Sequence, residues 1–588
     1  MNAVRPMALM LTCAGLGCGL ANADVYRVND DAAPGGDGSS WGRALNSLSD
    51  ALAVASSGDV IWVAKGNYMP VLPATRDATF LIPDNVKVYG GFEGDESVFA
   101  QRSTNPLGIP TLLNGSSPTG DPVYTIVTFA NAGSGTVLDG FTLSGALADG
   151  AGSTFAPEQS GGAVHATDSS PVLRNLFITH CNASRNGAAI YLGGDSVNAA
   201  LIENCRIESN HAESSGGAIW SEIPLDIRGC EFIGNSSQST GGAIRAGGED
   251  VIHTVANSTF RSNIGGIGSG GAIAFLVESD ASVSVVENCE FTNNSSNQGG
   301  AIGYTNFGDH TVRSSQFHGN VATIIGAGGI NHSSITTTSK LLVENSVFTG
   351  NSTPNGAGGI YAGSDGQTRI VNCTIARNHS DNPISAGGVA ASTGNVSIDN
   401  SVLWENTPRS LFSNFVGTCT VNRSIVQAIH QVSPFPSGVG AIDANPLFVD
   451  LRGPDNTFGT EDDNVRLLPA SPAIDAGHNL IPSAFVLADI YGDSRFHDDT
   501  GTPDTGVGDG VNPIIDMGAA EFQGTTPGAS CNEADLAEPF GQLDFTDVIA
   551  FLSAFGAMDP AADLATPFGA WDFTDVLAFL GAYGAGCP

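Results

Sequence analysis

The chain has 588 residues, with 59 acidic against 22 basic side chains and a formal net charge of −37. This charge balance argues against a nucleic-acid-binding protein, because an acidic surface repels anionic polymers unless cations bridge them. Although 76 residues are glycine, 41% of the chain is hydrophobic, which favours a folded chain with many tight turns over a disordered one.

Residues 1–23 have the pattern of a secretory signal peptide. A single Arg precedes an apolar run from Met7 to Leu20, and small residues close the segment at Ala23. We expect cleavage after Ala23 and therefore a secreted, extracellular or cell-surface protein. No later run approaches the ~20 apolar residues that a membrane span needs, so no membrane span is expected.

Residues 24–160 are interpreted as an N-terminal cap followed by the first coils of the repeat. Ser47 and Asp50 resemble the start of a capped helix that Gly58 ends. The sequence VIWVA at 60–64 predicts the first strand. We expect the helix to cover the open end of a stack of strands, which would otherwise invite aggregation.

Residues 161–430 are predicted to form the repeat coils, and two short phrases alternate from about 161 to 406. The first phrase is GGAI or a variant, beginning at positions 161, 187, 216, 241, 270, 299, 327, 357 and 386. The second phrase is an apolar residue followed three positions later by an asparagine: Asn210, Asn235, Asn263, Asn294, Asn320, Asn351, Asn378 and Asn406. Repetition at a nearly fixed period is typical of a solenoid rather than of several separate domains.

The period indicates strands, because the 3.6-residue spacing of a helical repeat is missing. Coils of short strands that stack in parallel at ~4.8 Å bury each inward side chain against its copy above and below. The fold class predicted is therefore all-β, a right-handed parallel β-helix. The repeated asparagines are expected to form one column of stacked amides.

A column of small residues is predicted two positions before the apolar residue of the second phrase. Its members are Cys205, Cys230, Ser258, Cys289, Ser315, Ser346, Cys373 and Ser401. Parallel, in-register side chains hold their Cβ atoms too far apart for easy disulfide formation. Buried free thiols are therefore predicted at the cysteines.

The residue after each GGAI should point outward, and the first four such residues share an unusual character. They are His165, Tyr191, Trp220 and Arg245. We interpret these flat side chains as a ligand-binding platform for sugar rings or a protein partner. Two alternatives remain open: a loop covers the row, or two of the neighbouring acids act as acid and base on a glycosidic bond. Those acids are Asp168, Asp195, Glu222, Glu249 and Asp250.

Residues 431–524 are predicted to form irregular last coils with acidic loops. Three apolar segments at 444–450, 467–477 and 514–522 are separated by the loops at 455–463 and 498–509. Solvated surface loops are the first interpretation of these acidic stretches, and calcium binding is the alternative.

The last residues form a separate module, 531–588, after a linker at 525–530. Residues 534–556 recur almost unchanged at 562–584, and each copy is predicted to end in a helix. The apolar faces predicted for these helices are Val548, Phe551, Leu552 and Phe555, and Val576, Phe579, Leu580 and Tyr583. Because so small a module has little core, we expect a disulfide between Cys531 and Cys587 to close it.

Three resemblances to known families follow from these motifs. The alternation of GGAI with FxxN over roughly 161–406 resembles the repeats of polymorphic outer-membrane protein adhesins. The strand GDVIWVAKGNY at 58–68 and the later SPAIDAG look like secreted right-handed parallel β-helix proteins of pectin-lyase-like fold. The tail resembles a Cys-terminated dockerin.

The dockerin resemblance implies metal ligands and a partner. Residues at its ligand positions or close to them are Asp535, Asp544, Asp547, Asp563, Asp572 and Asp575. Ala537 and Pro539 stand where a standard loop has two further ligands, which leaves calcium open. The implied partner is a cohesin-like or cell-envelope protein.

The function favoured by these patterns is adhesin-like binding of a polysaccharide or surface partner, with tethering through the tail. A polysaccharide lyase or glycoside hydrolase on the same β-helix is the alternative. No catalytic residue is assigned, because the sequence lacks the paired Asp with His-Gly of polygalacturonase-like proteins and the Lys or Arg cluster of pectate lyases. No organic cofactor is expected.

Overall fold

The computed structural model describes most of the chain. The described residues are 23–70, 75–116, 120–334, 336–363, 365–413, 417–483, 486–524, 534, 536, 537, 543, 545–557, 562, 564 and 573–585. Several predictions fall outside them: the signal peptide apart from Ala23, the linker at 525–530, Cys531, Cys587, Asp535, Asp544, Asp563 and Asp572.

The described chain winds into a parallel β-solenoid of about 12 turns, which confirms the predicted fold class. Most turns contribute one strand to each of three long sheets. The first sheet contains Val25–Val28, Val60–Ala64, Lys87–Phe92, Val137–Asp139, Val172–Arg174, Ala200–Glu203, Leu225–Arg228, Ile252–Ala256, Val283–Glu287, Asp309–Arg313, Lys340–Glu344, Gln367–Val371, Gly394–Asp399 and Gly417–Asn422.

The second and third sheets complete the coil. The second contains Gly66–Tyr68, Thr111–Asn114, Thr142–Ser144, Phe177–Thr179, Arg206–Glu208, Glu231–Ile233, Thr259–Arg261, Glu290–Thr292, Gln316–His318, Val347–Thr349, Thr374–Ala376, Val402–Trp404 and Ile425–Val426. The third contains Phe80–Ile82, Val127–Ala130, Val164–Thr167, Ile190–Gly193, Ile219–Ser221, Ile244–Gly248, Ile273–Val277, Ile302–Tyr304, Ile330–His332, Ile360–Ala362, Val389–Ala391 and Leu411–Ser413.

Further strands, most of them two residues long, fill the turn between the second and third sheets. They are Leu147–Ala148, Asn182–Ala183, His211–Ala212, Ser236–Ser237, Ser295–Gln298, Val321–Ala327, Ser352–Thr353, Gly356–Ala357 and His379–Ser380. The GGAI phrase leads from this turn into the third sheet. Gly216 has a φ of +67°, and a Cβ there would lie 2.2 Å from the Ile219 carbonyl oxygen, so both backbone conformation and space require glycine.

The predicted asparagine column is confirmed. From Asn210 to Asn406, each side-chain nitrogen donates to the amide oxygen of the next asparagine at 2.8–3.1 Å. In Asn294, the side-chain nitrogen also donates to the Phe260 carbonyl at 2.8 Å. Its amide oxygen accepts from both the backbone and the side chain of Asn263, each at 3.0 Å. Such a rung has all its hydrogen-bonding groups satisfied although it is fully buried.

The predicted interior columns are also present. Phe232, Phe260, Phe291, Phe317 and Phe348 stack with ring centroids 4.4–4.8 Å apart. The column of small residues is buried beside them. Among the described residues, the cysteines are free thiols, as predicted, and burial raises the pKa of Cys289 and Cys373 to about 12.

A second column, which was not predicted, forms the corner between the first and second sheets. Its members adopt a left-handed backbone: Asn175, Asn204, Gly229, Asn257, Asn288, Ser314, Asn345, Asn372 and Asn400. Asparagine tolerates this conformation better than most residues, which explains why it precedes the Cys/Ser column so often.

The N-terminal end is capped by the predicted helix. It spans Leu48–Val54, and the Ser47 hydroxyl accepts the Asp50 backbone N–H at 3.2 Å. Leu48 and Leu52 join the solenoid core. The prediction of 60–64 as the first strand was wrong, because Val25–Val28 precedes it in the first sheet. The short 3-10 helices are Trp41–Arg43, Phe99–Gln101 and Ile429–Gln431.

The residues after 443 differ from the predicted last coils. They form an antiparallel pair, Phe448–Asp450 with Asn464–Leu467, and then lie along the flank of earlier coils. Glu344 accepts hydrogen bonds from the backbone and hydroxyl of Ser483 at 2.6 and 2.7 Å. Further contacts join Asn400 to His478 and Arg261 to Glu461. The segment therefore covers an existing side of the solenoid instead of extending it.

The tail contains the two predicted helices, Phe545–Ala557 and Phe573–Ala585. Phe551 and Phe579 stack with centroids 4.2 Å apart and are nearly fully buried. Leu552 and Leu580, which were predicted on the buried faces, are instead 58% and 54% exposed. No helix among the described residues is both long enough and apolar enough to cross a membrane.

Candidate functional site

The four predicted platform residues lie in one column on the third sheet. Strand register places His165 beside Tyr191, Tyr191 beside Trp220, and Trp220 beside Arg245. The ring centroids of the first two pairs are 4.5 and 4.8 Å apart, and the guanidinium of Arg245 lies 5.0 Å from the Trp220 ring. We call these four residues the ring column.

The ring column is not an open platform. His165, Tyr191 and Trp220 are only 4%, 4% and 6% exposed. The loop 149–160 lies over them, with the Phe155 ring 5.7 Å from Trp220 and 6.4 Å from Tyr191. This is the loop-covered arrangement that the sequence left open, and burial lowers the pKa of His165.

An acidic groove lies next to the ring column, in the turns that lead from the third sheet back to the first. Its volume is about 440 Å³. Its acidic lining consists of Asp195, Glu222, Glu249, Asp250 and Glu278. Consecutive coils supply these carboxylates at the spacing of the strands, so the groove is a line of negative charge along the solenoid.

Arg245 connects the ring column to the acidic groove. Its guanidinium pairs with Glu222, which lines the groove. This is the only salt bridge that a groove carboxylate makes within the described part of the chain. Asp250 accepts a hydrogen bond from Ser279 at 2.5 Å, while Asp168 lies one coil away and accepts the Asp195 backbone N–H at 2.9 Å.

The sequence missed two residues of this region. Glu278 belongs to the acidic groove. The sequence did not predict it, because the outward residue of its coil is Ala274 and not a ring side chain. Phe155 is 55% exposed although it packs on Trp220. Phe155 is the one large apolar side chain in the loop 149–160, and this feature of the sequence could have indicated that the loop packs on the ring column.

A second cleft, of about 600 Å³, lies near the last coils. Arg377, Glu405 and Arg409 line it together with Gln427 and Gln431. Arg377 and Glu405 neutralise one another in a salt bridge. The cleft is larger than the acidic groove, but it is not adjacent to the ring column.

Two of the six predicted tail ligands can be placed. Asp547 and Asp575 are both fully buried. One oxygen of Asp547 accepts the backbone N–H groups of Leu536 and Ala537 at 2.8 Å, and Asp575 accepts that of Leu564 at 2.9 Å. Each carboxylate thus ties a helix to the segment before it, whether or not a metal also binds.

Comparison with known proteins gives limited guidance. No family model and no curated protein matches the chain. Pectate lyase Pel9A is similar over 86% of this chain and 98% of its own, with 12% identity and a TM-score of 0.34. A rhamnogalacturonan lyase is similar over 75% and 96%, with 13% identity and a TM-score of 0.33. Because the identities and TM-scores are this low, neither activity is transferred to this chain.

Proposed function

We propose that the protein is a secreted or cell-surface β-solenoid that binds a polysaccharide or a surface partner in the acidic groove, in the manner of an adhesin. The observation that carries the proposal is a groove of about 440 Å³ lined by five carboxylates beside stacked aromatic rings. Binding sites of this size commonly combine a few polar groups with aromatic surface.

The ligand should be neutral or carry amines. Carboxylates accept hydrogen bonds from sugar hydroxyls and attract ammonium groups, whereas a uronate would meet a like charge at every coil. Only Glu222, among the described groove acids, is paired with a cation. Asp250 accepts the Ser279 hydroxyl, and the other three carboxylates make no salt bridge among the described residues.

The ring column contributes to binding through its neighbours in this proposal. The Phe155 ring packs on Trp220 and Tyr191, and its outer side is exposed to solvent. Trp220 also stacks on Arg245, which fixes Glu222 at the edge of the acidic groove. His165 is the first residue of the ring column and stacks on Tyr191. Direct stacking of a sugar on Trp220 would require the loop 149–160 to move away.

The test is retention of the full chain on a panel of neutral, amine-bearing and uronate polysaccharides. The double variant Asp195→Asn/Glu249→Gln should bind its ligand at least tenfold more weakly. The matched control is Asp121→Asn/Glu213→Gln, which removes the same charge from exposed sites outside the acidic groove. Equal retention of both double variants would contradict the proposal that the acidic groove is the binding site.

Catalysis is the alternative, and the same panel tests it. A lyase or hydrolase would generate new chain ends, whereas a binding protein would only be retained. New ends that disappear in Asp195→Asn/Glu249→Gln would make two groove carboxylates an acid–base pair.

The tail is proposed to tether the protein to a cohesin-like or cell-envelope partner, with calcium as its cofactor and a Cys531–Cys587 disulfide. Repeat-equivalent apolar side chains support this role, because Ile549 and Leu577 are each 53% exposed, like Leu552 and Leu580. Exposed apolar residues in matching positions suit a protein interface. Leu552→Asp/Leu580→Asp in the full chain should release it from the producing cells without changing glycan retention.

A further inference from the structure

The segment that covers the flank of the solenoid contains a carboxylate with unusual surroundings. Asp475 is fully buried, with 0% of its surface exposed. Neither of its side-chain oxygens has a hydrogen-bond partner within the described residues. An ionised carboxylate in such a place costs several kcal/mol unless a cation compensates it.

The backbone around Asp475 is held firmly. Its N–H donates to the Asp516 carboxylate at 2.8 Å. Its carbonyl oxygen accepts the N–H groups of both Thr505 and Gly506 at 3.0 Å. Asp475 also has a positive φ of 51°. These contacts fix the direction of the side chain and attach the end of the loop 498–506 beside it.

The loop brings two more carboxylates to the same point. Oxygen atoms of Asp475, Asp498 and Asp504 all lie within 4.8 Å of one another. Asp498 and Asp504 are exposed, so water can reach the cluster from the loop side. Neither forms a salt bridge in the described part of the chain, and the same holds for Asp475. Three like charges so close together repel strongly in a partly buried place.

We propose that Asp475, Asp498 and Asp504 form a calcium site that fastens the loop 498–506 to the flank of the solenoid. The site is separate from the acidic groove and from the tail. The donor set is entirely oxygen, which suits a hard cation better than zinc, since no His or Cys belongs to the cluster.

The setting of the cluster favours calcium over magnesium. Mg²⁺ demands a near-regular octahedron at about 2.0–2.1 Å and gives up its water reluctantly, whereas Ca²⁺ accepts six to eight oxygens at about 2.3–2.6 Å in flexible geometry. Three carboxylates from two separate segments, one of them buried, suit the more flexible cation. The exposed side of the cluster leaves room for water to complete the larger coordination shell of calcium. Exported modules commonly bind calcium at about 10⁻⁴–10⁻³ M, which matches the environment expected for this chain.

The test measures calcium binding and melting temperature on the full chain. Asp498→Asn and Asp504→Asn change exposed residues and should fold normally, while Asp475→Asn probes the buried ligand. Asp509→Asn is the matched control, because Asp509 lies in the same acidic stretch but, among the described residues, bonds within its own turn, at Val511 and Asn512. Isothermal titration with Ca²⁺ and separately with Mg²⁺ counts the sites, including any in the tail.

We expect Asp498→Asn and Asp504→Asn each to lose at least tenfold in calcium affinity at one site, so that the number of sites falls by one. The same variants should lose the calcium-dependent rise in melting temperature, and Asp509→Asn should keep both. Calcium should bind at least tenfold more tightly than magnesium. The proposal is overturned if wild type shows no calcium binding, or if these two variants retain the full number of sites and the full thermal shift.

Discussion

Trp220 illustrates how a residue with the properties of a binding anchor can serve the fold instead. It is 6% exposed, and it lies between Tyr191 and Arg245 in the ring column. Trp220→Ala should lower the free energy of unfolding by about 3–5 kcal/mol, because a large buried side chain leaves a cavity. Denaturant unfolding measures this loss. Phe155→Ala, at a half-exposed position, should cost much less; unchanged stability in Trp220→Ala would show that the ring column is open in solution.

Asn294 shows what one rung of the asparagine column contributes. In Asn294→Leu, the Asn263 backbone and side-chain N–H groups lose their acceptor, and the Phe260 carbonyl loses a donor. The expected loss of stability is about 3 kcal/mol, since each unsatisfied buried group costs about 1–3 kcal/mol. Thermal unfolding, compared with the exposed-site control Asn198→Leu, measures it. Equal melting temperatures for the two variants would rule out a structural role for the rung.

At the scale of elements, the outer face of the second sheet changes character along the solenoid. From Arg206 onward, one in-register column on this face has polar residues first and mostly apolar ones later: Arg206, Glu231, Thr259, Glu290, Gln316, Val347, Thr374, Val402 and Ile425. The apolar end is buried by residues 444–524. This switch in the sequence indicates where the flank is covered.

Val402 tests that covering. It is fully buried between the second sheet and the flanking segment. Val402→Asp would place an unpaired charge there and should cost several kcal/mol, making residues 444–524 sensitive to protease. Arg206→Asp, at an exposed position of the same column, is the control and should leave the digestion pattern unchanged. Protection of the segment in Val402→Asp would contradict the packing.

At the scale of the whole molecule, the solenoid interior contains neutral imidazoles. Burial lowers the pKa of His253 and His310 to about 4 and that of His332 to about 3. The ring nitrogens of His310 and His332 bond to neutral groups, such as the Ser284 hydroxyl for His310 and the Thr368 hydroxyl for His332. The core therefore accepts these rings only without a proton.

This arrangement predicts acid sensitivity. Unfolded histidines take up protons near pH 6.5, whereas the folded ones do so only near pH 4, so the stability present above pH 6.5 is lost as the pH falls towards 4. Each pKa unit of depression corresponds to about 1.4 kcal/mol. The histidines contribute a fall in melting temperature over this range, so acidification should lower the melting temperature of His310→Gln less than that of wild type. His379→Gln, at an exposed position, should show the same pH dependence of melting temperature as wild type. Equal dependence in all three proteins would refute the conclusion that buried histidines contribute to acid sensitivity.

The sequence alone determined the repeating part of this protein. A column position that recurs once per coil has the same neighbours each time, so Asn210 to Asn406, the stacked phenylalanines and the buried cysteines followed from spacing alone. The alignment of His165, Tyr191, Trp220 and Arg245 followed in the same way, because register is local information.

Only the tertiary structure decided what covers each face. Phe155 reaches Trp220 through a loop whose path no period describes. Residues 444–524 fold back over earlier coils, as Ser483 does at Glu344, 139 positions before it. Asp475, Asp498 and Asp504 meet for the same reason. Contacts between distant, non-repeating segments depend on how the chain closes in space, and the repeat contains no information about that.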